Sequence, residues 1–142
     1  MKIQNYSNHP KFVIGYHFFT LLASFILFIL CVIHLIYSND EMFYTALLMA
    51  IGSLILVFTT FYARVFALRA QDRAIRVEEN LRHYLLTGQQ LPEELKIRQI
   101  IGLRFASDAE FPELVKKAVN ESLSEKEIKK SIKNWKGDYY RV

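Results

Sequence analysis

The stretch 43–86 constrains this chain more than any other. Residues 43–62 are twenty in a row without a charge, and 64–86 carry five Arg, two Glu and one Asp with no Pro or Gly. Gly52 is tolerated in an apolar membrane helix, and Gly88 supplies a stop signal just past the end. The expectation is one helix that leaves a hydrocarbon layer and continues into water. At about 1.5 Å per residue it would be about 65 Å long, half of it beyond the membrane.

A second apolar run, 12–37, comes first. All charged side chains except Lys2, Lys11, Asp40 and Glu41 fall in 64–142. Each run can cross a hydrocarbon core of about 30 Å. The first is about twice a typical signal-peptide core and no small-residue cleavage pattern follows, so a secretory signal is not expected. Between the runs, 38–41 reads Ser-Asn-Asp-Glu, with two acids and no base. Lys2 and Lys11 flank one side of the pair, and Arg64, Arg69, Arg73 and Arg76 the other. The positive-inside bias then places both termini in the cytoplasm and the turn outside. So short a connection makes the two helices antiparallel neighbours.

The expected fold is therefore all-α: a cytoplasmic segment 1–11, then a transmembrane hairpin 12–63 with spans of about 12–37 and 42–63. A cytoplasmic helical extension, 64–142, follows. The net charge of +4 is explained by topology and anionic lipid, and nucleic acid is not expected as a partner. Cys31, the one cysteine, rules out an internal disulfide and reads as a small apolar residue. His17 and His34 stand about 25 Å apart on a straight helix, too far to share a metal ion. Each reads as an interfacial hydrogen-bonding group, with contact to a partner's haem or quinone as the alternative. His9 reads as a solvated loop residue.

On a heptad grid, the long helix shows a seam at Ala46, Met49, Ser53, Leu56, Thr60, Ala63, Ala67, Ala70, Ala74, Val77, Leu81 and Tyr84. In lipid, small residues let backbones approach; in water, an apolar seam asks for cover. The partner could be a second copy, another membrane subunit, or the chain's own C-terminal helices. Arg69, Arg73 and Arg76, with Arg64 above them, are expected on the opposite face, solvated, on lipid phosphate, or docked to an acidic partner. Asp72/Arg76 and Glu78/Arg82 have the acid-first i,i+4 order that supports a helix.

Three short helices are expected after the linker Gln89–Gln90. The first opens at Leu91-Pro92-Glu93-Glu94 and runs to about Ala106, either buried on several sides or half sunk in the membrane surface. Ser107-Asp108-Ala109-Glu110 fits a capping box for the second, which carries Leu114, Val115, Ala118, Val119 and Ser122 on one face. Ser124-Glu125-Lys126-Glu127 caps the third, with Ile128, Ile132 and Trp135 as its apolar stripe and Gly137 as its end. Lys129, Lys130, Lys133 and Lys136 rim that stripe. So thin a core should lean on the long helix or on a partner.

No phosphate-binding glycine loop, metal-ligand spacing or nucleophile beside His83 is present, and neither apolar run holds a charge. Catalytic residues, metal and cofactor are therefore not expected. The Gln4-Asn5-Tyr6-Ser7-Asn8-His9 opening followed by Tyr16-His17-Phe18 resembles a family of small bacterial membrane proteins of unknown function. So do Phe61-Tyr62-Ala63-Arg64, Arg69-Ala70-Gln71-Asp72-Arg73, Leu103-Arg104-Phe105-Ala106-Ser107-Asp108 and the Trp135–Tyr140 tail. The resemblance spans nearly the whole chain and implies a bacterial inner-membrane location, with no catalytic site to carry over. The function expected is that of a non-catalytic accessory or scaffold subunit of an inner-membrane complex. A regulator responding to anionic lipid and a cofactor-contacting subunit of a redox complex are the alternatives.

Overall fold

The structure is a computed structural model that describes residues 4–8 and 13–139. Lys2, His9, Pro10, Lys11, the start of the first run at Phe12, and Tyr140 to Val142 lie outside the described residues. The described chain is helical, with no strand among its described residues: a π-helical turn Gly15–Thr20, α1 Leu21–Ile36, α2 Phe43–Thr87, α3 Ile97–Leu103, α4 Phe111–Asn120 and α5 Glu125–Ser131. It divides into two compact units, residues 11–68 and residues 1–10 with 69–142.

Two helices are long and apolar enough to cross a membrane: Gly15–Ile36, in the first unit, and Phe43–Thr87, whose apolar half belongs to it. A core helix of a water-soluble protein would be mostly covered by its own chain. Here only 11% and 22% of the apolar windows are. The covered positions are small: Ser24 and Cys31 on α1, and Ala46, Ala50, Ser53 and Thr60 on α2. Their hydroxyls bond back to their own helix, Ser24 to the Leu21 carbonyl, Ser53 to Ala50 and Thr60 to Leu56. Back-bonding satisfies these three covered hydroxyls within their own helices. Thr20 reaches the Gly15 carbonyl at 3.0 Å, a five-residue step that matches the wider π-helical turn. The Tyr16 hydroxyl donates to the Thr60 carbonyl at 2.6 Å, and the Arg64 guanidinium lies 5.9 Å from the Tyr16 ring centre.

The second unit is built on the charged half of α2. Gly88, at φ +75°, ends the helix in the left-handed conformation that glycine adopts without a Cβ penalty. The chain then runs back along the helix it has left. The Gln89 carbonyl meets His83 Nδ1 at 2.8 Å, the Leu91 N–H donates to Asn80 Oδ1 at 2.8 Å, and Arg76 donates to the Leu95 carbonyl at 3.2 Å. Each tie is about a turn further back. These ties hold the segment extended along α2, Arg76 takes the Leu95 carbonyl that a helix starting at Pro92 would use, and Leu95 turns into the core. The helix expected from Leu91 therefore begins only at Ile97.

Ile75 of α2 enters a core with Leu95, Ile100, Leu103, Phe111, Leu114, Val115, Ala118 and Ile128. Leu103, Phe105, Phe111, Val115 and Ile128 are fully buried, worth about 2 kcal/mol each by area. Gly102 lets α3 and α5 close together, since a Cβ there would stand 3.2 Å from the Glu125 carbonyl and the Ile128 side chain. Gln99 caps the start of α3 through the Lys96 N–H and donates to the Ala118 and Leu123 carbonyls at the end of α4.

The expected Ile128–Ile132–Trp135 stripe does not form, because α5 stops at Ser131 and Ile132 turns extended, with ψ 122°. The Glu110 carboxylate accepts from the Lys133 and Asn134 N–H groups at 3.1 and 3.0 Å, drawing the chain off the helix. Trp135 then pairs with Ala106 in an isolated antiparallel bridge and stacks on Phe105 at 4.7 Å. Gly137 lies in this extended tail, where any Cβ would strike the Tyr139 ring. The Ser124–Glu127 capping box forms with both bonds. At Ser107 only half the motif is made, Glu110 accepting from the Ser107 N–H while the Ser107 hydroxyl finds no partner.

Ser122 carries a strain that the sequence hides. It sits at φ 49° after α4, where the Leu123 N–H reaches the Ala118 carbonyl and the Ser122 N–H the Val119 carbonyl, a Schellman closure. A left-handed serine costs about 1 kcal/mol relative to glycine. Ser122→Gly should therefore raise the unfolding midpoint of the second unit by about 5 °C. The fluorescence of Trp135, the one tryptophan, reads this directly. A lower midpoint would show that the hydroxyl contributes more than the backbone strain costs.

Candidate functional site

Two features of the charged half of α2 could serve a function: the side that the C-terminal elements cover, and the side they leave open. The covered side is Ile75, Glu79, Arg82 and His83. Arg82 is its hub. Its guanidinium lies 4.2 Å from the Phe111 ring centre, and donates to Glu79 at 3.0 Å, Asp108 at 2.7 Å and the Ala106 carbonyl at 2.6 Å. Neither expected i,i+4 pair forms: Arg82 turns to Glu79 and Asp108 instead of Glu78, and Arg76 turns to the Leu95 carbonyl instead of Asp72. A buried ring and a free carbonyl outbid a surface acid that offers only a few tenths of a kcal/mol.

The two acids around Arg82 are pushed in opposite directions. Burial lifts the Glu79 carboxyl above its ordinary range, against the pull of Arg82. The hydrogen bond from Arg82, then its charge, holds the more exposed Asp108 carboxyl below its range. Glu79 thus adds stability below the ordinary carboxylate range and loses it as pH rises through its raised value. Asp108 adds stability above that range and loses it as pH falls through its lowered value.

A polar recess of about 440 Å³ adjoins this side, lined by Gln71, Glu78, Glu79, Arg104, Lys136 and Asp138 among others. Arg104 is salt-bridged to Asp138 at 3.0 Å, and the Asp138 N–H donates to Gln4 Oε1 at 2.7 Å. Residues from four separate stretches of the chain therefore meet here: Gln4, Gln71, Arg104 and the tail from Lys136. The recess holds cations and anions in near balance, which selects no ligand charge.

The open side is apolar. Val77, Leu81, Tyr84 and Leu85 are 68%, 57%, 53% and 74% exposed, with Ala70 and Ala74 exposed beside them. Large apolar side chains in a row on the solvent side of a helix mark an interaction surface. At about 3.6 residues per turn, the positions opposite Val77 are those of Ile75 and Glu79, so the chain's own C-terminal helices cover the far side of this face. Arg69 and Arg73, expected opposite the seam, instead border it, and both are exposed. Arg76 is exposed but committed to Leu95.

The upper part of the expected seam behaves differently. Ala46, Ser53 and Thr60 are covered, while Met49 and Leu56 are half exposed and Ala63 is exposed. Ala67 is intermediate. A strict seven-residue register drifts about 20° per heptad on an α-helix, so a single grid cannot keep to one face from Ala46 to Tyr84. His17 Nδ1 lies 2.9 Å from the carbonyl of Val13, just before its own helix, and His34 is exposed.

The family follows from the whole chain. It belongs to DUF6526, a family of unknown function, whose model matches residues 1–142. No curated protein and no solved structure matches the chain.

Arg82→Ala should cost the second unit about 3 kcal/mol, since it leaves Glu79 buried without its counter-charge. Glu79→Gln keeps an acceptor for Arg82 and removes the desolvated charge, so its stability at pH 7 should equal or exceed that of the parent. It should also abolish the gain that the parent draws from Glu79 on acidification. Trp135 fluorescence against denaturant at pH 5 and pH 7 checks both. A Glu79→Gln loss as large as that of Arg82→Ala would show the ionised pair to be net stabilising.

Proposed function

We propose that the chain is a non-catalytic accessory or scaffold subunit of a bacterial inner-membrane complex. In this reading 12–63 form a transmembrane hairpin and both termini are cytoplasmic. Two long apolar helices with little cover from their own chain support the membrane placement. The acidic turn at Asp40 and Glu41 and the arginines from Arg64 onward support the orientation. The observation that carries the docking role is the uncovered apolar face Ala70, Ala74, Val77, Leu81 and Tyr84, on a helix whose other side is already packed. A membrane anchor alone has no use for such a face in water; a subunit that must seat a partner just below the bilayer does. The commitment of Arg76 to the Leu95 carbonyl leaves fewer free cations for the alternative reading as an anionic-lipid regulator.

Extraction in a mild detergent should recover the full chain in an assembly larger than one copy. Leu81→Glu, on the open face, should dissociate that assembly while leaving the Trp135 unfolding midpoint unchanged. A folded parent that runs as a single copy under these conditions contradicts the docking role.

A further inference from the structure

The geometry points to a second copy of this chain as the occupant of the open face, joined as a parallel, in-register two-helix coil below the membrane. This rests on the docking reading above and adds the identity of the partner. In the stretch past the apolar half, Ala67, Ala74 and Leu81 alternate with Ala70, Val77 and Tyr84 as the two core rows of a heptad. The three alanines nearest the apolar half would let two helices come close, and Val77, Leu81 and Tyr84 would fill the space beyond. Two copies in one membrane share an orientation, so their second helices run parallel about a twofold axis.

The flanking charges single out a second copy. Arg73 stands just before a core position and Glu78 just after the next one. In a parallel coil, the residue before a core position faces, across the interface, the residue that follows the core pair in the next heptad. That places Arg73 of each helix against Glu78 of the other, two opposite-charge contacts created by the symmetry alone. The remaining flanking pairs, Phe66 with Gln71 and Asn80 with Leu85, bring no like charges together. Within one chain both residues are exposed, and neither has an ion-pair partner among the described residues. Arg82, the cation that the sequence offers to Glu78, is held by Glu79 and Asp108. The fold thus leaves Glu78, which also lines the recess, exposed and outside any ion pair among the described residues.

The test uses the full chain in native membranes with Cys31→Ser as background. Val77→Cys should give a disulfide-linked dimer on mild oxidation, and Asp72→Cys, on the covered side, should not. In the same background, Arg73→Glu should reduce the Val77→Cys cross-link roughly tenfold by facing acid with acid, and adding Glu78→Arg should restore it. Cross-linking no greater at Val77→Cys than at Asp72→Cys overturns the proposal, as does a double variant as weak as the single one. An assembly that survives extraction without the Val77→Cys cross-link overturns the second copy while preserving the docking role. A single folded copy in detergent overturns both.

Discussion

The Arg82 guanidinium joins everything after residue 88 to the helix that precedes it. It lies over Phe111, 4.2 Å from the centre of the fully buried ring at the start of α4, and its donors reach Glu79 on its own helix and Asp108 and Ala106 on the loop between α3 and α4. An arginine can do this because its planar group stacks and donates in several directions at once. A lysine at 82 would supply a charge without the stacking. Once Arg82 is fixed, Ile75, Glu79 and His83 are on the inside, and the side bearing Ala70, Val77, Leu81 and Tyr84 is outside. The open face is therefore a consequence of where the C-terminal elements attach.

The return segment makes that attachment specific. His83, Asn80 and Arg76 tie down Gln89, Leu91 and Leu95 in turn, and the last of these ties takes a carbonyl that a helix from Pro92 would use. The same device acts at the far end, where Glu110 gathers the N–H groups of Ser107, Lys133 and Asn134. Short helices with a small core gain their definition from such side-chain-to-backbone bonds, since a thin core leaves little surplus stability.

The sequence announced its long elements and the number of its short ones, and misplaced where some of the short ones begin and end. Twenty uncharged residues running into charge without a breaker led to α2, which ends within one residue of the place expected. Gly88 and the Ser124–Glu127 box were legible because each acts within a few residues of itself. The helix expected from Pro92 and the stripe through Trp135 failed for one reason. Both were decided by partners far along the chain, Asn80 and Arg76 for the first and Glu110 for the second. The seam was legible as a pattern, but the upper covered positions, Ala46, Ala50, Ser53 and Thr60, take a step of four where the expected grid took three, which leaves Met49 and Leu56 off the covered face. The choice of Arg82 for Glu79 over Glu78 had no sequence signal, because the two acids are adjacent and only the packed side decides.

The charged half of α2 has one side sealed by its own chain, and the proposed docking role requires that the opposite side be sealed by a partner. Single cysteines at residues 75, 77, 79 and 81, in a Cys31→Ser background, can be labelled with a membrane-impermeant maleimide in inverted membranes and again in a dissociating detergent. The account predicts that 75 and 79 resist labelling in both conditions, while 77 and 81 are protected in the membrane and become reactive in detergent. Equal reactivity of 77 and 81 in the two conditions would contradict it.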